Sequence, residues 1–316
     1  MFLADCHCDT LSELYKQNKS LYANDLMLDA ERILQNGGGL QFMAMFIPTD
    51  VFRAGAGATY TLKLIDTYLR GLKELEQKGI KVRRILSKSD LAQLPDGRFS
   101  TLLAIEEGGA LDGSIEVLRV YYELGVRCMT LVWSNRNDIA DGVNEECSKG
   151  GLTMFGRRVV AEMNRLGMAV DVSHISTYGF WDVLEHSAKP IIATHSCAYS
   201  LCDHPRNLRD DQLKALAKTG GFVGINFAGQ FLEKDWKDAC IESVYRHLAY
   251  MMDVMGSDDY LGFGSDFDGI SHPPYNLLGV HHLPQLFELL AAKFSDATLK
   301  KLAYGNCLAY LKKILL

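Results

Sequence analysis

The chain has 316 residues, 48% of them hydrophobic and 23% charged, with a formal net charge of -6. That is the composition of a globular protein able to bury a large core, and its acidic balance offers no basic footprint for nucleic acid or an anionic membrane. No apolar run approaches the 18 residues of a membrane span, and MFLADCHCDT turns acidic and polar too early for a secretory signal, so a cytoplasmic location is expected. Eight cysteines are sparse in a chain this long, and Cys6, Cys128 and Cys240 fall in apolar or helical surroundings, so reduced thiols are expected.

Residues 2–8 open the chain as an apolar strand that ends in DCHCD. His7 and Asp9 are two apart, so in an extended chain they share a face and one metal can take both. On the same alternation Cys6 and Cys8 point away from His7 and are weak candidates for soft ligands. A short helix over 29–35 and GGGL lead into a second buried strand, 40–47, and then a polar segment runs to Gly57. The stripe of Tyr60, Leu64, Tyr68, Leu72 and Leu75 predicts an amphipathic helix over 59–77, stopped by Gly79. A further short strand within 80–86 lies outside the main series, and 90–97 reads as a turn or small helix. The third strand, 101–105, runs directly into Glu106 and Glu107, at least one of which then stands at a strand end. A helix over 114–124, closed by Gly125, precedes strand four at 127–133 and the polar loop SNRNDIADG.

A helix over 150–166 leads to the segment around which the chain is organised, 168–206. It holds two apolar runs, 168–172 and 190–193, each followed within two residues by a histidine, with helix-like spacing over 177–187 between them. His174 and His195 then stand at the carboxyl ends of neighbouring parallel strands, the edge where α/β folds keep their chemistry. A single histidine there is more often a hydrogen-bonded loop residue; two at equivalent places point to a metal. The remaining pattern is a helix over 208–218, a strand over 222–227, a helix over 238–255, a strand over 260–264 ending in SDFDG, and helices over 282–293, 295–302 and 307–316.

Eight short apolar strands, nearly all separated by a helix-length segment, predict a single α/β domain over residues 1–316. Its expected form is a closed (β/α)8 TIM barrel with C-terminal helices. An open doubly wound sheet is the rival, but it concentrates its site at one switch point. The polar candidates here follow strands one, three, five, six and eight.

Collected at one rim are His7, Asp9, Glu106 or Glu107, His174, His195, and Asp266 or Asp268. Three imidazoles and three carboxylates exceed the needs of one tetrahedral zinc and suit two metals that share a carboxylate and polarise a water between them toward hydroxide. Such donors select zinc-like borderline metals, with manganese, cobalt or iron as substitutes. Serine catalysis is the competing chemistry, at Ser173 with His174 or His195 with Ser196, but no GxSxG elbow is present. GGFVG at 220–224 introduces a strand rather than a helix, which argues against a phosphate cradle. His186, His247, His272, His281 and His282 read as packed or solvated side chains, whereas His204 beside Arg206 can line the mouth of the site.

With these residues assembled, the chain resembles the membrane (renal) dipeptidase family of the amidohydrolase superfamily. The likeness runs from HxD in DCHCD through AIEEGGAL, YELGVRCMTLVWSNRNDIADG, DVSHIS and ATHSCAYSLCDHPRNLRDDQL to LGFGSDFDG. HxD alone is weak; the order and spacing of the set, with HSxAYS and RNxxDDQL, are specific. The resemblance implies a hydrolase with two zinc ions per chain: His7 and Asp9 on the first, Glu106 bridging, and His174 and His195 on the second. Counting back from EVLR places Glu106, not Glu107, on the bridging position. It also implies that Arg206 grips the substrate's carboxylate with its guanidinium fork, that Asp266 holds the nucleophilic water and shuttles its proton, and that Asp268 is structural.

Trp133 falls where the mammalian enzymes have a histidine that contacts substrate. An indole donates one hydrogen bond and never becomes a cation, so any oxyanion role is weaker or lies elsewhere. The animal enzymes also carry a secretion signal and a lipid anchor; neither is recognisable here, and no membrane attachment is expected. The expected substrates are dipeptides with a free carboxylate, including those with a C-terminal D-residue. The expected partners are that small peptide and a second copy of the chain in a homodimer, without nucleic acid. Two other readings stay open: a related amidohydrolase acting on a cyclic amide, lactam or lactone, and a non-catalytic metal-bound binding protein.

Overall fold

The computed structural model describes residues 1–316. Eight parallel strands form its wall: β1 (Leu3–Cys8), β2 (Gly39–Phe46), β3 (Phe99–Glu106), β4 (Val126–Thr130), β5 (Ala169–Asp171), β6 (Ile192–Ala193), β7 (Phe222–Ile225) and β8 (Leu261–Phe263). Each pairs with the next, and Asp5 of β1 pairs with Phe263 of β8, so the sheet closes into a barrel. Closure leaves no unpaired edge. A ninth strand, Arg83–Arg84, lies outside the barrel against Ser100 and Thr101 of β3, below the point where β4 begins to pair at Leu103.

Side chains alternate between two cores, as the period of a strand requires. Ala4, Leu40, Phe42, Leu102, Cys128 and Phe222 fill the lower barrel and meet Leu308, Leu311 and Ile314 of the C-terminal helix Asn306–Ile314. That helix plugs the amino-terminal end of the barrel. The outward residues, among them Leu3, Met43, Leu103 and Met129, pack against the surrounding helices in a second, larger core. The stripe residues Leu64, Tyr68 and Leu75 of the helix Gly57–Gln77 join that layer.

Several helices begin where a side chain caps them rather than where the apolar pattern begins. The segment expected to be helical from 150 starts at Met154, because Thr153 stays extended and its hydroxyl accepts from the Gly156 N–H. Residues ahead of it bridge to the preceding loop instead, Leu152 against Ala140. The polar connection before Gly57 contains a short helix, Thr49–Arg53. The last two expected helices are joined through a wide turn, Lys301–Gly305, into one run ending at Ile314. No helix is long and apolar enough to cross a membrane.

Candidate metal centre

The first histidine is aimed by an irregularity. From Asp5 to Cys8, β1 advances three residues while β2 advances two, Gln41 to Met43. This is a β-bulge, the usual device for re-aiming a side chain at a barrel rim. Cys6 joins the inner apolar cluster, its Sγ 3.5 Å from that of Cys307, and His7 also turns inward, its ring centroid 3.8 Å from that of His195. Cys8 points outward and donates to the Phe42 carbonyl. Strict alternation is therefore wrong for Cys6, which shares the inner side with His7, but neither sulfur belongs to the clusters of ligand-type atoms.

Three such clusters are present, all buried: His7, Asp9 and Glu106; Glu106, His174 and His195; and His7, His195 and Asp266. Glu106 ends β3 and divides its oxygens between the first two. Its Oε2 lies 3.5 Å from His7 Nε2, itself 3.5 Å from Asp9 Oδ2. Its Oε1 lies 2.9 Å from His174 Nε2 and 3.5 Å from His195 Nε2, and those two nitrogens are 2.8 Å apart. Asp266 Oδ1 is 3.9 Å from His7 Nε2, while its Oδ2 accepts from Asn226. Gly269 is required beside them, since a Cβ there would collide with both Asp9 and Asp266.

The electrostatics fit a cation. His7 Nε2 and Asp9 Oδ1 are buried with no hydrogen-bond partner, which a protein tolerates rarely. Burial, reinforced by the charge of Glu106, pushes the Asp9 carboxyl well above its usual range. Burial likewise raises Asp266, to about 6, His7 opposing. Burial lowers His174 to about 3, with Arg206 adding to the effect, and drives His195 well down, so both imidazoles are neutral and carry a free lone pair. His7 moves the other way: burial would lower it, but Glu106 and Asp9 raise it well above the ordinary value. Desolvated carboxylates that repel each other beside neutral imidazoles could hold a metal cation, and positive charge would relieve them.

Backbone strain collects at the same rim. His174, Asp266, Asp268, Ser134 and Glu107 all have positive φ, from 49° to 101°; such conformations cost energy and cluster where function needs them. Glu107 is turned away from the candidate metal ligands by this kink. Its carboxylate accepts from the N–H groups of Gly109 (2.6 Å) and Trp133 (2.8 Å) and from the Asn137 side chain, and burial pushes it up to about 7. It ties the loop after β3 to the loop after β4. Asp268 accepts from the Thr10 hydroxyl and the Met27 N–H, joining the loop after β8 to the segment after β1.

A cavity of about 510 Å³ opens over the cluster, lined by Asp9, Glu106, Trp133, His174, Arg206 and Asp266 among others. Arg206 is buried; its Nη2 donates to the His195 carbonyl at 3.1 Å and its Nε has no partner. Trp133 stands three residues beyond the end of β4, between Phe46 and the His174 ring. His204 also lines the cavity, its ring packed on Phe231. The other histidines lie elsewhere: His247 is buried with both ring nitrogens bonded to backbone, and His272 packs on Trp236. The residues that sequence reasoning missed are polar supports, namely Asp171, Thr194, Ser134 and Asn226. Their only signal was placement within four residues of a strand end.

The model of the membrane dipeptidase family, peptidase family M19, matches residues 1–315. Dipeptidase aclJ of Aspergillus oryzae is 40% identical over 218 residues, 68% of this chain; the matched part is 51% of that protein's length. Among solved structures, the metallopeptidase dipeptidase AC of family M19 superposes with a TM-score of 0.89 at 28% identity, covering 100% of this chain and 99% of the other. A metallopeptidase from Rhodobacter sphaeroides, liganded with a phosphinate mimic of the dipeptide L-Ala-D-Ala, gives 0.87 at 28% identity, covering 99% of each chain.

Proposed function

The chain belongs to the membrane dipeptidase family, peptidase family M19, and we propose on that basis that it is a binuclear zinc dipeptidase acting on dipeptides with a free carboxylate. The observation that carries this reading is Glu106, which offers one oxygen to His7 and Asp9 and the other to His174 and His195. His7, Asp9, Glu106, His174 and His195 would hold the cations, which would supply Lewis acidity for the scissile carbonyl and lower the pKa of the attacking water. Manganese or cobalt would suit the same donors.

The remaining steps belong to the chain. Arg206 lines the cavity and holds the substrate's carboxylate with its guanidinium, which its bond to the His195 carbonyl fixes before substrate arrives. Anchoring the carboxyl end so near the reacting centre restricts the length of peptide that fits. Asp266, oriented by Asn226, takes a proton from water as its oxygen adds to the carbonyl carbon. It returns that proton to the amine nitrogen as the C–N bond breaks. Trp133 lines the same cavity and offers one indole N–H to the substrate. Peptides with a C-terminal D-residue are included because a relative similar over the whole chain is liganded with a mimic of one.

The test is metal content together with hydrolysis of L,L and L,D dipeptides. About two zinc ions per chain are expected, with cleavage lost on chelation and regained with zinc, and with amidated dipeptides resistant. Cleavage indifferent to chelation, or equal turnover of amidated and free dipeptides, would sink the reading.

A further inference from the structure

Below the two imidazoles that face Glu106 Oε1 lies a polar layer inside the barrel. Asp171, the last residue of β5, is fully buried, and four donors converge on it. Its Oδ1 accepts from the N–H groups of Ser173 and Thr194, both at 2.9 Å. Its Oδ2 accepts from the hydroxyls of Thr130 (2.5 Å) and Thr194 (2.6 Å). A carboxylate only accepts, and a hydroxyl has one proton to give. The Thr194 proton is thus committed to Asp171, and the Thr194 oxygen is left only lone pairs to offer. His195 Nδ1 lies 2.8 Å from that oxygen, so the proton in that bond has to be on Nδ1.

We propose that Asp171 and Thr194 act as positioning residues that lock His195 in its Nδ1–H form and aim the bare Nε2 at the metal subsite it shares with His174 and Glu106. The inference rests on the metal reading above and deepens it. Ligating histidines usually donate the second nitrogen directly to a carboxylate or carbonyl; here a hydroxyl stands between, its direction set by the acid behind it. The neighbouring ligand lacks this arrangement. His174 Nδ1 meets the Ser134 hydroxyl at 3.0 Å, and that hydroxyl has no other partner. It can donate or accept, so it satisfies either tautomer of His174. The two ligands of one subsite are therefore unequally fixed, His195 rigidly and His174 loosely.

The experiment titrates metal-free wild type, Thr194→Val, Thr194→Ser and Ser134→Ala with zinc against a chromophoric chelator. Wild type is expected to take up two equivalents. Thr194→Val should bind one of them about 10- to 100-fold more weakly and leave the other unchanged, as loss of an outer-shell partner does. Thr194→Ser should restore the affinity to within about threefold of wild type, and Ser134→Ala should cost less than Thr194→Val. Unchanged binding of both equivalents by folded Thr194→Val would overturn the relay, as would Ser134→Ala proving the more damaging. Wild type that takes up no second equivalent overturns the metal reading instead. Long-range ¹H–¹⁵N spectra of zinc-loaded wild type supply a readout that needs no variant to fold: the His195 proton is expected on Nδ1, and its absence there would overturn the relay.

Discussion

Arg206 is the side chain whose removal best separates binding from metal chemistry. Its one hydrogen bond toward the candidate metal ligands goes to the His195 carbonyl, and the residue lines the cavity. Arg206→Leu is expected to raise KM for dipeptides, lowering kcat/KM on the order of 100-fold, the range for losing one partner of a buried charge pair. Zinc content should stay as in wild type, and its loss in that variant would show that Arg206 supports the metal site. Adjacent Glu106 and Glu107 show how finely roles divide at this level. Strand spacing alone leaves both as candidates, since both follow TLLAI directly. The φ of 101° at Glu107 separates them, turning its carboxylate to the loop carrying Trp133 and Asn137.

Elements matter here for how they hold loops. The helix Ile241–Met255 carries His247, which is buried beneath the loops after β6 and β7. Its Nδ1 accepts from the Ala198 N–H at 3.1 Å, which leaves Nε2–H to donate to the Leu232 carbonyl at 3.0 Å. Burial lowers its pKa from 6.5 to about 4. The unfolded chain takes up a proton below about pH 6.5 that the native state resists. His247 therefore contributes stability that is present above pH 6.5 and is lost as pH falls toward 4, about 2 to 3 kcal/mol for a shift of this size. Urea unfolding at pH 7.5 and 4.5 tests it: His247→Gln should lose less stability than wild type over that window by about this amount. An equal loss in both proteins would show that His247 is not buried as a neutral group. The bulge in β1 and the caps are likewise element-level devices; Thr153, Ser114 and Ser176 could be read as caps from residue type, whereas nothing in LADCHC announces a bulge.

The barrel as a whole brings residues from position 7 to position 266 within reach of one another, and the C-terminal helix seals its far end. Leu311→Ala, at the plug, removes a fully buried side chain and is expected to cost about 2–5 kcal/mol of stability in urea unfolding. Turnover by the folded fraction should hold near the wild-type value, because the cavity left behind is at the opposite end from the candidate metal ligands. A matching loss of kcat would mean that the plug and the rim are coupled. The eight strands, the closed architecture, the histidines at strand ends and the family are all legible in the chain, because apolar period, glycine stops and polar residues at strand ends are local and repeat eight times. The plug, the inward turn of Cys6 with His7, the choice between the two glutamates from spacing alone, and the chain of bonds from Asp171 through Thr194 to His195 were decided by packing. Each depends on which atom of one segment meets which atom of another once the barrel has closed, and the spacing of residues along a strand carries no record of that meeting.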